Sequence, residues 1–200
     1  MEETMKIIKH RRNTFEELDS TPSQYGIEMD IRSYGTELVV HHEPYIRGPL
    51  FSQWLDHFHH GTLILNVKEE GLEERVLELV HQHGIEDYFF LDQSFPFLVK
   101  TARGGERRCA VRVSEFESID TALGIARFID WAWVDCFTRF PLSGVEATKL
   151  QNVGLKLCLV SPELQGFDPD VQIPDIRKFL RREGIAAEAV CTKHPELWEE

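Results

Sequence analysis

Short apolar runs alternate with amphipathic stretches along the whole chain. The runs at 5–9, 27–31, 62–68, 88–92, 109–113, 131–135, 156–160 and 187–191 are of strand length, and 37–41 adds one more. Helical spacing falls between them. Residues 49–58 carry Leu50, Trp54 and Phe58 four apart, with Pro49 near the first turn. Residues 72–83 place Leu72, Val76, Leu79, Val80 and His83 on one side and stop at Gly84. A helix through Leu123, Ala126 and Arg127 precedes the run at 131–135. Others are predicted at 144–152 and 173–183, with turns at Gly154 and Gly184, and 14–18 has room for one or two helical turns. Strands that alternate with helices pair in parallel, and eight such units predict a closed (β/α)8 TIM barrel, compact and in a single domain over 1–200. A doubly wound open sheet is the rival, but it normally uses fewer strands.

The polar residues that end these runs sharpen the picture. They are His10, Asp30, Lys68, Asp92, Arg112, Asp135, Ser161 and Lys193. In a parallel barrel the carboxyl ends of the strands form the active-site face, so Asp92, Arg112 and Asp135 are expected to line its mouth. Glu28 and Asp30 stand two apart in an otherwise apolar strand, and side chains two apart share a face. Two buried like charges repel and lose hydration, a conflict that a divalent cation with oxygen ligands resolves. An ion network with Arg11, Lys68 or Arg112 is the competing reading. Trp131 and Trp133, alternating with Ala132, are expected to pack against the outer helices rather than on a ligand.

Composition narrows the classes. Of 200 residues, 42% are hydrophobic, enough for a core, which excludes a disordered chain. A net charge of -12 argues against a nucleic-acid binder that works by neutralising many phosphates. No apolar run is long enough to span a membrane and no leader precedes the first strand, so a cytoplasmic location is expected. Cys109, Cys136, Cys158 and Cys191 lack C-x-x-C spacing and read as buried free thiols. His57, His59 and His60 read as a solvated helix end, and His81 and His83 likewise.

One set of motifs is more specific. His10-Arg11, Asn13-Thr14, Ile27-Glu28-Met29-Asp30-Ile31 and Val39-Val40-His41-His42-Glu43 occur in that order. In these residues the chain resembles the glycerophosphodiester phosphodiesterase family, a group of phospholipase C-like phosphodiesterase barrels. That family's barrel opens on His-Arg-Gly, continues through Glu-Asn-Thr and Ile-Glu-x-Asp-Val, and has an apolar run ending His-Asp. The resemblance implies His10 and His42 as the catalytic general acid and base. It implies Arg11 and Lys68 as phosphate-binding, and Glu28 and Asp30 as ligands of a divalent cation, Mg2+ or Ca2+. His41 falls outside the motif and reads as structural. Arg12 stands where the family has glycine, and the loop before Asn13 is almost absent. Asn66-Val67-Lys68 stands where the family has Glu-x-Lys, so Asn66 takes a metal-ligand position, with Glu43, Glu69 or Asp92 as candidate replacements for the missing charge. The implied substrate is a small phosphodiester, and nothing in the sequence fixes an oligomeric state.

Two other functions compete with this one. A degenerate barrel that binds a phosphorylated ligand without catalysis accounts for Asn66 and the short first loop. A different metal-dependent barrel hydrolase would carry His-x-His on the first strand, where this chain has His10-Arg11-Arg12. Paired histidines beside a phosphate site favour the phosphodiesterase, since a pure binder has no need of two proton carriers.

Overall fold

A computed structural model describes residues 4–199. Its nine strands are β1 (Lys6–Lys9), β2 (Gly26–Tyr34), β3 (Glu37–Val40), β4 (Leu63–Val67), β5 (Tyr88–Leu91), β6 (Ala110–Val113), β7 (Trp131–Val134), β8 (Lys156–Val160) and β9 (Ala189–Thr192). They form one sheet in the order β5-β4-β2-β1-β9-β8-β7-β6, and β3 hangs antiparallel on the end of β2. Every other pairing is parallel. The eight parallel strands curl until β5 and β6 meet, where the Phe90 N–H donates to the Arg108 carbonyl at 2.8 Å and Phe90 bridges Cys109. The barrel is nearly closed, with this seam as its weakest join.

Side-chain alternation splits the core into two layers. Ile8, Ile64, Phe89, Leu91, Ala110, Trp131, Trp133, Cys158, Val160, Ala189 and Cys191 fill the barrel interior. Ile27, Met29, Ile31, Leu63, Leu65, Val67, Phe90, Val111, Ala132, Leu157 and Val190 face the helices. This reverses the expectation for the tryptophans. Trp131 and Trp133 point into the barrel, and Trp131 stacks on Phe89 with ring centroids 4.5 Å apart. Both lie in step with Asp135 at the mouth, and period two carries all three to one face.

The helices are α1 (Phe15–Asp19), α2 (Phe51–Asp56), α3 (Glu73–Gln82), α4 (Phe95–Arg103), α5 (Ile119–Ile125), α6 (Gly144–Asn152) and α7 (Pro169–Glu183). Reciprocal capping boxes start α1 at Thr14 and Glu17, and α6 at Ser143 and Glu146. Helix α7 begins four residues before the expected start. The Asp168 side chain caps the Asp170 N–H and Pro169 occupies the first turn, so Pro174 lies inside the helix. It ends at Gly184, whose φ of 66° is left-handed. Helix α2 is shorter than 49–58, because Pro49 and Leu50 stay extended ahead of it. Helix α4 has no counterpart in the strand-and-helix pattern; its signal is Ser94 followed by Pro96 in the first turn. Gly26 opens β2 where a Cβ would stand 2.6 Å from the Thr62 carbonyl oxygen, so this strand can approach β4 only without a side chain. The four cysteines are buried free thiols. Among the described residues, no helix is long and apolar enough to cross a membrane.

Candidate active site

The carboxyl ends of the parallel strands open on a polar cavity of about 260 Å³. His10, Arg11, Glu28, Asn66, Lys68, Asp92, Arg112 and Asp135 line it, with Trp133, Gln165 and Lys193. Asp30 lies at its edge, fully buried. Register explains the convergence. Asp30 pairs with Asn66 across β2 and β4, and Glu28 with Ile64, so the two carboxylates and the amide share the interior face.

Two left-handed residues complete the ring. Arg11, at φ 51°, turns back after β1 so that its N–H donates to Glu28 Oε2 at 2.7 Å. Its guanidinium stands 3.4 Å from Asp30 Oδ2. Asp92, at φ 59°, would otherwise follow Leu91 to the outer face; the turn brings its carboxylate between Lys68, at 3.0 Å, and Arg112. Such backbone is costly for a side chain with a Cβ, and here both instances orient charge into one cavity. The remaining charges form a chain across the mouth. Lys68 also lies 3.4 Å from Asp30, while Arg112 reaches Asp135 at 2.7 Å, which accepts from Gln165 at 2.7 Å.

Asn13 fastens Asp30 from below. Its Nδ2 donates to Asp30 Oδ2 at 2.8 Å, and its Oδ1 accepts the Asp30 N–H at 2.9 Å. Glu28 is held by the Asn66 Nδ2 at 2.7 Å, and His10 Nε2 stands 3.7 Å from Glu28 Oε2.

Electrostatics follow from this packing. Burial, then the Asp30 charge, raises the Glu28 carboxyl to about 7, against the pull of Asn66, the Arg11 N–H and Lys68. Burial, followed by Arg11 and Lys193, lowers the His10 imidazole to about 3, so it is neutral at physiological pH. Burial pushes Asp92 up, but Arg112 and Lys68 together outweigh it and hold its carboxyl below the usual range. Burial raises Asp135, and Arg112 and Gln165 offset this only in part.

His42 and Glu43 sit apart from this cavity lining. They follow β3, whose next residue, His41, donates its N–H to the Asp30 carbonyl at 3.0 Å. His42 Nδ1 faces Glu43 Oε1 at 2.6 Å, and the His42 carbonyl accepts from Arg32 at 2.7 Å. The loop therefore starts at the rim of the site, with Glu43 holding His42 Nδ1 while His42 Nε2 has no partner among the described residues.

Two buried oxygens at the site are of the kind a hard cation takes. Asp30 Oδ1 and Asn66 Oδ1 are buried and accept no hydrogen bond, and Glu28 carries a carboxylate that burial and Asp30 disfavour. The set is low in charge, and no group of three or more His, Cys, Asp and Glu with metal-holding geometry occurs among the described residues. Lys68 and Arg11 meanwhile stand beside Asp30, as an ion network requires.

No family model and no curated protein matches the chain. Among solved structures, the glycerophosphodiester phosphodiesterase from Agrobacterium tumefaciens str. C58 superposes with a TM-score of 0.72. The match covers 98% of this chain and 99% of that one at 16% identity. The fold is a (β/α)8 barrel. At that identity the likeness is one of fold. A second structure, from Pseudomonas aeruginosa and named as a candidate aldo-keto reductase, reaches a TM-score of 0.41 at 11% identity over 96% of this chain and 74% of that one. It is too distant to bear on function.

Sequence reasoning counted Lys193 among the polar strand ends but gave it no role, left Gln165 out of the site, and gave Asn13 no role beyond its motif. Lys193 carried a signal, because it continues the alternation of Ala189 and Cys191 into the mouth. Gln165 carried none: it arrives from the turn at Pro162–Gln165 after β8, which no apolar period marks.

Proposed function

We propose that the protein is a phosphoric diester hydrolase acting on a glycerophosphodiester or a related small phosphodiester. The observation that carries this reading is the convergence of His10, Arg11, Glu28 and Lys68 on one cavity at the carboxyl face of the barrel. They arrive from β1, β2 and β4, as the sequence motifs require. The full-length likeness in fold to a glycerophosphodiester phosphodiesterase supports the same reaction class.

Arg11 and Lys68 bind the phosphate in this mechanism, placing fixed positive charge where negative charge accumulates. His10, neutral before substrate arrives, accepts the proton of the attacking water or substrate hydroxyl at Nε2. Glu28 Oε2, 3.7 Å away, stabilises the imidazolium that results. Burial depresses His10 most, and the phosphodiester's own charge offsets the Arg11 and Lys193 fields that add to it, so binding raises the basicity the step needs. His42, with its Nδ1 held by Glu43, donates a proton from Nε2 to the leaving alcohol, which requires the loop after β3 to carry it to the cavity. A divalent cation, magnesium or calcium, would be held by Glu28, Asp30 and Asn66 and would supply Lewis-acid polarisation of a nonbridging oxygen.

The location of His42 favours a second reading, a barrel that binds a phosphorylated ligand without turning it over. A panel of glycerophosphodiesters, assayed for alcohol release with magnesium, calcium, manganese or chelator, separates the two. Release that chelator abolishes is the expected result. A panel that yields no alcohol under any metal, from protein that binds phosphate, leaves the binder.

A further inference from the structure

Three of the four cations at the cavity are already matched. Arg11 faces Asp30, Lys68 faces Asp30 and Asp92, and Arg112 faces Asp92 and Asp135. Lys193 lines the same cavity, and its ammonium makes no hydrogen bond or ion pair among the described residues. The surrounding protein carries a net charge of -12. With the other cations and carboxylates balanced against each other, Lys193 is the charge that keeps the cavity attractive to an anion.

The backbone beneath Lys193 is fixed more firmly than a surface lysine requires. Its N–H donates to Glu163 Oε1 at 2.8 Å, and its carbonyl accepts from Lys9 Nζ at 3.0 Å. Glu163 is largely buried and held in turn by Ser161 and by Thr192, whose hydroxyl donates at 2.7 Å. Trp198 Nε1 locks Ser161 at 2.9 Å. Every member of this buried network is engaged with another, and it reaches the site through the peptide that carries Lys193 and through the Thr192 carbonyl, which accepts the His10 N–H at 3.0 Å. Such a network holds the root of the side chain in place while leaving its charged end free.

We propose that Lys193 is a substrate-binding residue, which takes a nonbridging oxygen of the phosphate from the β9 side of the cavity, opposite Lys68 on the β4 side. This deepens the phosphodiesterase reading and rests on it for the identity of the substrate, but the phosphate contact can be measured without turnover. Because the side chain is exposed and unpaired, replacing it leaves the fold intact.

The test is inorganic phosphate binding, followed by calorimetry on the whole protein in chelator and again in magnesium. Wild type is compared with Lys193→Met, Lys193→Arg, and Lys149→Met as a control of equal charge change on α6. An exposed ion pair of this kind is worth a loss of about twofold to fivefold in phosphate affinity for Lys193→Met. Lys193→Arg should retain binding, and Lys149→Met should match wild type. A smaller loss in Lys193→Met, an equal loss in Lys149→Met, or wild type that binds no phosphate overturns the assignment. The two claims fail separately. Phosphate binding that depends on Lys193 in a protein that cleaves no diester keeps this inference and removes the hydrolase. Diester cleavage with KM unchanged in Lys193→Met, and phosphate affinity also unchanged, does the reverse.

Discussion

Asn13→Ala should destabilise the protein more than truncation of Asn66 or Gln165, the other uncharged polar side chains at the site, each of which donates one hydrogen bond there. Asn13 makes two hydrogen bonds to Asp30, one to its carboxylate and one from its N–H, and both residues are buried. Truncation strands the Asp30 N–H, which costs about 1–3 kcal/mol, and removes a bond to a charged acceptor worth about 1.5–3 kcal/mol. Arg11 and Lys68, each 3.4 Å from an Asp30 oxygen, still neutralise the carboxylate, so the charge is not orphaned. Water entering from the cavity replaces part of the lost bonding, which places the total at about 2–4 kcal/mol. Urea denaturation followed by tryptophan fluorescence reads this as a lower midpoint at constant slope. Asn13→Asp adds a second signature. It keeps an acceptor for the Asp30 N–H but sets carboxylate against carboxylate, so its penalty should grow from pH 5 to pH 7.5. A midpoint for Asn13→Ala within about 0.5 kcal/mol of wild type would show that Asn13 does not anchor the site.

Other outcomes follow from the same geometry. His10→Ala and His42→Ala should each lower diester turnover by about 100-fold or more; full activity in His42→Ala would remove it from the mechanism. Phosphate should raise the His10 pKa from about 3, because burial depresses it first and the anion offsets the Arg11 and Lys193 charges that add to this; proton NMR of the imidazole reads the change, and an unmoved resonance contradicts it. Glu28, raised from 4.5 to about 7, binds its proton more tightly folded than unfolded, so its contribution to stability falls as pH rises through that interval. His10, lowered from 6.5 to about 3, acts oppositely and loses stability as pH falls through its own interval. In chelator, Glu28→Gln should therefore gain on wild type between pH 5 and pH 7.5, and parallel stability curves would refute the assignment. Arg112→Met should cost activity and stability together, since it leaves Asp135 without a cation and Asp92 with Lys68 alone, and Arg112→Lys should restore only part, which thermal melts and turnover measure.

Much of the framework was legible because each strand repeats one pattern: apolar on both faces, then a polar residue where it meets solvent. That pattern gave the barrel, and with it the convergence of His10, Lys68, Arg112 and Asp135. The spacing of Glu28 and Asp30 sufficed to put both on the interior face. What escaped depended on direction rather than type. Trp131 and Trp133 are apolar on a strand buried on both faces, so hydrophobicity alone cannot tell inside from outside; only their step with Asp135 does. Asp92 follows an interior residue and reaches the cavity solely through its positive φ, which no periodicity encodes. The loop carrying His42 runs beyond β3, where no strand register constrains it, and the structure pairs its imidazole with the neighbouring Glu43. Helix α4 follows β5 after only Asp92, Gln93 and Ser94, and the crowding of Phe95, Phe97, Leu98 and Val99 masks its helical period.

The join between β5 and β6 has a consequence for how the molecule can be taken apart. On the far side of the barrel, β1 and β9 are in register over Lys6 to Lys9, whereas β5 and β6 share a single bridge at Phe90 and Cys109. The connection between those two strands, at Gly104 and Gly105, also lies near the middle of the 200-residue sequence. A cut there separates two half-barrels that remain laced along one edge and merely touch along the other, with Asp92 and Arg112 as their clasp. Co-expressed as 1–104 and 105–200, the halves should reassemble as a hinged clam, and charge reversal at that clasp should open the hinge without parting the edge.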